Sequence, residues 1–299
     1  MTQVVHSALE TRLEVLKLNE LPAMSVVAQQ FLRAIEEPDC QIAQLAEIVE
    51  QDPAILARLI GVANSAYFSP IEPVTTAHDA IFKVLGLNTS KSLVLAIILS
   101  GPFDLSRCPS FPIRDFWLES VFAATLAQAM APLLKVQPKP LHGSPYLAGL
   151  LLRIGLLAMV HVYPQEMGEV LASLREQVIC DPQKLQELEQ VAMGVDHAEV
   201  GAWLVRKWHL PGVIGVVMEH HLDPAYRGEH WPLVVLTEFC ARWSATAVRG
   251  GREEDYPSLS ELRVLGVDIA QAGTKLGTVA LRLDELRGLA GAFAGTGHG

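Results

Sequence analysis

The stretch Tyr146–Tyr163, YLAGLLLRIGLLAMVHVY, runs for 18 residues with Arg153 and His161 as its only strongly polar side chains. That length reaches the threshold for a transmembrane helix. Two features argue against one. Arg153 stands near the middle, where a lipid-facing charge is costly, and Pro145 and Pro164 fence the run as they fence an ordinary helix. A helix apolar on nearly every side must then be buried in protein. The stretch therefore predicts one central helix inside a large helical domain, with Gly149 and Gly155 permitting close packing.

The rest of the chain points the same way. Half of its 299 residues are hydrophobic, enough for one large or two medium domains. Apolar residues recur at helical spacing over Val5–Leu18, Ser25–Glu36, Ile42–Gln51, Asp52–Phe68, Ala80–Leu85 and Asn88–Leu99. Gly101–Pro112 holds three prolines and reads as a connector. Helices are predicted again over Asp115–Leu134, the central run, Pro164–Ile179, Pro182–Met193, Asp196–Trp208, Pro211–His221 and Trp231–Val248. Asp196 followed three residues later by Glu199 is a capping-box pattern. Tyr67, Phe68, Trp203 and Trp208 are expected in the core. Arg249–Asp255 reads as a solvated linker, Ser260–Leu265 and Ala270–Leu289 as further helices, and the tail GAFAGTGHG as disordered. No segment alternates like a strand, so the predicted class is all-α.

Composition narrows the function. The formal charge is -10 with no basic cluster, which argues against nucleic-acid binding. Cys40, Cys108, Cys180 and Cys240 form no CxxC pair; they read as reduced thiols of a cytosolic protein and exclude a zinc ribbon. The N-terminus lacks the basic region and apolar core of a signal peptide. Phosphate-loop and nucleophile-elbow patterns do not occur. His197, His220, His221, Glu119 and Glu238 invite a metal-site reading. No HExxH pattern supports it, and histidines at a helix C-terminus are favoured by the macrodipole without any ligand.

Several segments resemble a known family. LPAMSVVAQQFL, QIAQLAEIVEQDPAILARLIGVANSAYF and AIFKVLGLNTSKSLVLA are similar to the N-terminal half of an HDOD domain. FWLESVFAA, AGLLLRIGLLAMV, VDHAEVGAWLVRKWHLP and EHH are similar to its second half, so the resemblance covers about Leu18 to Val248. It implies two packed helical halves; with the boundary placed in the Gly101–Pro112 connector these are residues 1–106 and a degenerate HD-like bundle over 107–250, and a C-terminal extension over 251–299 with a flexible tail lies outside the resemblance. It also implies kinship with HD-type metal phosphohydrolases. Their His-Asp pair falls on Leu152-Arg153, the Lys that often follows falls on Leu156, an earlier His on Glu119, and a final Asp near Ala241.

The resulting expectation is a non-catalytic bacterial signalling module without metal, cofactor, nucleic acid or membrane. Its partner would be a signalling protein such as a diguanylate cyclase, kinase or regulator. No receiver, cyclase or DNA-binding domain is evident in the sequence, so output is expected in trans. An alternative is a sensor in which Arg153 and the histidines grip a small anion, such as a nucleotide phosphate; the candidate ligand or partner pocket is Arg153, His197, Glu219, His220, His221 and Glu238. A residual or altered metal phosphohydrolase using Glu119, His197, His220, His221 and Glu238 is the remaining reading.

Overall fold

The computed structural model describes residues 21–37, 39–140, 143–174 and 182–294, and every regular element among them is helical. The first half starts with α1 (Val26–Glu36), where the Ser25 hydroxyl accepts from the Ala28 N–H. It continues with α2 (Ile42–Glu50) and α3 (Pro53–Ala63). Asp52 accepts from the N–H groups of Ala54 and Ile55 to start α3, and Pro53 occupies the first turn, where its missing N–H costs nothing. The Asn64 side chain then bonds both backbone groups of Val74, at 2.8 and 2.9 Å, and closes the loop between them. Thr76 caps a short helix, Ala77–Asp79, that widens into a π-helix, Ala80–Leu85. α4 (Leu87–Ser100) buries Leu93 to Leu99 without interruption.

The second half is built on α5 (Ile113–Met130), followed by α6 (Ser144–Leu151), α7 (Ile154–Val162), α8 (Pro164–Leu174), α9 (Pro182–Met193), α10 (His197–Lys207), α11 (Gly212–His220) and α12 (Trp231–Val248). Two more helices, α13 (Ile269–Ala280) and α14 (Leu283–Ala294), close the described chain. α5 is the hub: α6, α12, α13 and α14 all pack on it. Trp117 and Phe122 on α5 are fully buried, each contributing about 2–3 kcal/mol by leaving water. Small side chains on the same helix set how near its neighbours come. A Cβ added to Gly149 of α6 would stand 2.6 Å from the Ala124 Cα, so glycine is required at that crossing.

Four expectations need correction. The apolar run is two helices rather than one: the ladder breaks at Leu152 and Arg153, where Arg153 takes φ −109° and ψ 23°. Apolar residues run up to Leu152 and resume at Ile154 without a proline between them, so periodicity could not reveal the break. Of the described helical stretches, only Ser144–Val162 has the length and hydropathy of a membrane span, and 83% of it lies inside the protein. Arg249–Asp255 is not simply solvated, because Arg249 reaches the buried Glu119 and the Asp255 side chain is 4% exposed. Ala270–Leu289 is divided between α13 and α14. Finally, the start of the supposedly disordered tail is helical: Phe293 is buried and stacks on Trp117 with ring centres 4.7 Å apart. The expected Val5–Leu18 helix, Pro38, Cys180 and residues 295–299 lie outside the described residues.

The C-terminal extension is thereby part of the packing. α14 lies against both α5 and α3. Arg282 donates to the Tyr67 carbonyl and sits 4.0 Å from the centre of the Tyr67 ring. Tyr67 and Phe68 are half-buried, packed edge to face at 5.0 Å, and Trp208 is buried as expected.

Candidate functional site

The interruption between α6 and α7 aims Arg153 at α5. Its Nη2 donates to Glu119 Oε2 at 2.5 Å, with side chains only 13% and 6% exposed. Arg249, at the end of α12, donates from Nε to the other oxygen, Oε1, at 3.4 Å. One buried carboxylate is thus held between two guanidinium groups, and both of its oxygens face a cation. Charge-assisted contacts of this kind are what allow a carboxylate to be buried.

On the opposite side, α10 brings His197 beside His221, with ring centres 5.4 Å apart. Asp196 starts α10 through the expected capping box, accepting from the N–H groups of Ala198 and Glu199. Burial alone would raise the Asp196 carboxyl, but the Glu199 N–H and the Gln186 and Gln190 amides hold it below the usual carboxylate range. His197 is fixed by Glu189 of α9: the carboxylate oxygen Oε2 accepts from the His197 backbone N–H at 3.0 Å and lies 2.7 Å from Nδ1. His221 Nδ1 lies 2.8 Å from the Met218 carbonyl oxygen. A carbonyl carries no proton, so Nδ1 is the protonated nitrogen and Nε2 carries the lone pair.

Burial, followed by the neighbouring His197, pushes the His221 pKa from 6.5 down to about 3. The imidazole is therefore neutral in the fold at any ordinary pH. Below its ordinary pKa the unfolded ring takes up a proton that the folded ring refuses, so this contribution to stability is complete above about pH 6.5 and is lost as the pH falls. Between pH 7 and pH 5 the expected loss from this residue is about 2 kcal/mol. Urea melts of the wild type and of His221→Phe should show it as a steeper acid decline in the wild type.

Leu152, Arg153, His197, His221, Glu238 and Ala241 surround one small cavity. The structure thus brings together the positions proposed for the degenerate HD site, with Glu119 directly behind Arg153. Two proposed residues do not join them. Glu219 is half-exposed and pairs with Arg206 at 3.3 Å, while His220 stacks on Tyr226 with ring centres 4.0 Å apart. The last turn of α11 sends consecutive side chains in different directions, so the adjacent histidines cannot share one site. Glu238 belongs to a separate ion pair: Arg242 bonds it at 2.5 and 3.0 Å and bridges to Glu261. Burial raises the Glu238 pKa, against the pull of Arg242.

Sequence reasoning missed Glu189, Arg242 and Arg249. Glu189 left a signal, because it lies on the buried stripe of α9 between Leu185 and Met193, four residues from each. A carboxylate on an apolar stripe needs a buried partner. Arg249 left none, since its contact with Glu119 spans 130 residues.

These residues do not suit a divalent metal. Leu152 and Ala241 have no donor atoms, Arg153 brings a positive charge, and the Glu119 oxygens are turned to guanidinium groups. Among the described residues no three His, Cys, Asp or Glu side chains form a group that could hold an ion.

The fold is a helical bundle, and comparison with known proteins identifies its family. Residues 21–224 match the HDOD domain, and the chain belongs to that family. An uncharacterized protein of Treponema pallidum is 26% identical over 228 residues, 75% of this chain, which spans only 42% of that relative. A Marinobacter aquaeolei protein, assigned to signal transduction by its name, has a TM-score of 0.79 at 24% identity over 92% of this chain and 60% of its own. An HDOD domain protein of unknown function from Geobacter sulfurreducens has a TM-score of 0.67 at 23% identity, over 93% of this chain and 99% of its own. A Shewanella amazonensis protein with a phosphohydrolase name has the same TM-score at 24% identity, over 93% and 95% of the two chains. At these identities the structural likeness is one of fold.

Proposed function

We propose that this HDOD protein is a non-enzymatic regulatory module of bacterial signal transduction, working in the cytoplasm by contact with a partner signalling protein. One observation supports the non-enzymatic part: Arg153 and Glu119, which the family resemblance aligns with metal ligands of HD-type phosphohydrolases, form a buried ion pair with each other. Hydrolysis of a phosphodiester there requires a cation to polarise phosphate and to lower the pKa of water. A fixed guanidinium can attract phosphate, but it cannot generate hydroxide. The signalling part is supported by family membership and by the name of the Marinobacter relative. The free, buried thiols of Cys40, Cys108 and Cys240 suit a reducing compartment.

The phosphohydrolase name of the Shewanella relative supplies the contrary reading, with His197 and His221 as its remaining side chains. Purified protein incubated with manganese, iron or magnesium, and with cyclic dinucleotides or model phosphodiesters, should show no turnover above a mock purification. Turnover that disappears in His197→Ala or His221→Ala would establish an enzyme instead.

A further inference from the structure

We propose that the cavity beside Arg153 receives the hydroxyl group of an uncharged molecule, whose apolar body lies in the adjoining cleft. Such an occupant requires neither catalysis nor a partner protein.

A buried acceptor comes first. His221 is 5% exposed, and its Nε2 has no hydrogen-bond partner among the described residues. The same side chain lines the cavity. Its Nδ1 edge is turned back to the Met218 carbonyl, which keeps the ring proton on Nδ1 and leaves the Nε2 lone pair on the opposite edge. His197 stands beside it but directs its own Nδ1 to Glu189. Leaving a buried acceptor unsatisfied is costly, so the site favours a group that brings its own proton.

The charged side chains around the cavity already have opposite charges against them. Arg153 is paired with Glu119, which is also reached by Arg249, itself engaged in a further interaction. Arg242 lies between Glu238 and Glu261. An entering anion would have to draw an arginine from these partners, and an entering cation a glutamate; breaking buried pairs in this way is unfavourable. A neutral donor displaces none of them. Among neutral donors a hydroxyl fits best, because its oxygen also accepts. Arg153 reaches Glu119 through one nitrogen, and a guanidinium has N–H groups to spare for that oxygen.

Size and lining fix the rest. The inner cavity is only about 30 Å³, with Leu152, Leu185 and Ala245 on its walls, which is room for a hydroxyl and little more. It shares His221, Leu222, Glu238 and Arg242 with an outer cleft of about 530 Å³. Val235 and Val264 line that cleft, and Val264 is 42% exposed there. An apolar body would cover these side chains while its hydroxyl reaches His221.

Titration of the full chain with benzyl alcohol, toluene, benzylammonium and benzoate at neutral pH and constant ionic strength tests the assignment. Toluene lacks the hydroxyl, and the two ions add a charge to the same ring. The 15N resonance of His221 Nε2 in the wild type should move with benzyl alcohol, with a Kd on the order of 1 mM, and stay in place with toluene. The two ions should bind at least about tenfold more weakly than the alcohol. In His221→Phe, ligand-observed NMR should show no preference for benzyl alcohol over toluene. Val264→Lys changes an exposed side chain and leaves the core intact; it should weaken benzyl alcohol several-fold. An unmoved Nε2 resonance, equal movement with toluene, or an ion that binds as tightly as the alcohol would overturn the proposal. So would an alcohol preference that survives in His221→Phe, or unchanged binding in Val264→Lys.

Discussion

Arg153→Met alone should lower the unfolding free energy by about 3 kcal/mol, because it strands the buried Glu119 carboxylate. The value falls at the low end of the range for broken buried pairs because Arg249 still faces Oε1. Adding Glu119→Leu to the same chain should restore most of the loss. An apolar pair needs no desolvation of charge, and Arg249, with its side chain 35% exposed, can turn to water. Urea unfolding of the two single variants and the double variant closes the cycle, and the expected coupling is about 2–3 kcal/mol. Additive effects would mean that the pair is not the structural substitute for a metal centre.

Gly155→Ala should have the larger effect. Its Cβ would lie 2.0 Å from the His197 carbonyl oxygen and 2.8 Å from the Gly201 nitrogen, both on the α10 backbone. Overpacking among side chains commonly costs about 1–3 kcal/mol because side chains can move aside. Here two helix backbones would have to separate, so the cost should exceed about 3 kcal/mol and leave little cooperatively folded protein. The same crossing seats His197 beside Arg153, which makes Gly155 a support of the candidate site as well as of the core. Circular dichroism melts check the outcome, and a variant that melts within a few degrees of the wild type would show that α7 and α10 can part.

These two residues also show how far the sequence alone could be read. Gly155 was recognisable as a packing glycine because it sits in an apolar run, but nothing in the run names the helix that presses against it. Arg153 was recognisable as an anomaly, since a cation among so many leucines needs a partner. Its partner, Glu119, was expected at a corresponding position from the family resemblance, not from spacing, because 34 residues and a loop separate them. Caps were the most legible features. Ser25, Asp52 and Asp196 act through atoms within three residues, and all three start helices as expected. The helix break at Leu152-Arg153 was hidden because it involves no proline and the apolar run resumes directly at Ile154. His220 and His221 looked equivalent in sequence, and only the burial of one and the stacking of the other on Tyr226 separate them. The start of the tail misled for a related reason: its small residues read as disorder, while Phe293 is buried and stacks on Trp117.

Calorimetric titration of manganese, iron(II) or zinc into metal-stripped protein at neutral pH, with metal analysis of the untreated protein, bears most directly on whether the ion pair has replaced the metal centre. The expected result is no stoichiometric binding with Kd below about 10 μM, and no change when Arg153→Met and Glu119→Leu are combined. One tightly bound ion per chain, lost in His197→Ala or His221→Ala, would contradict it.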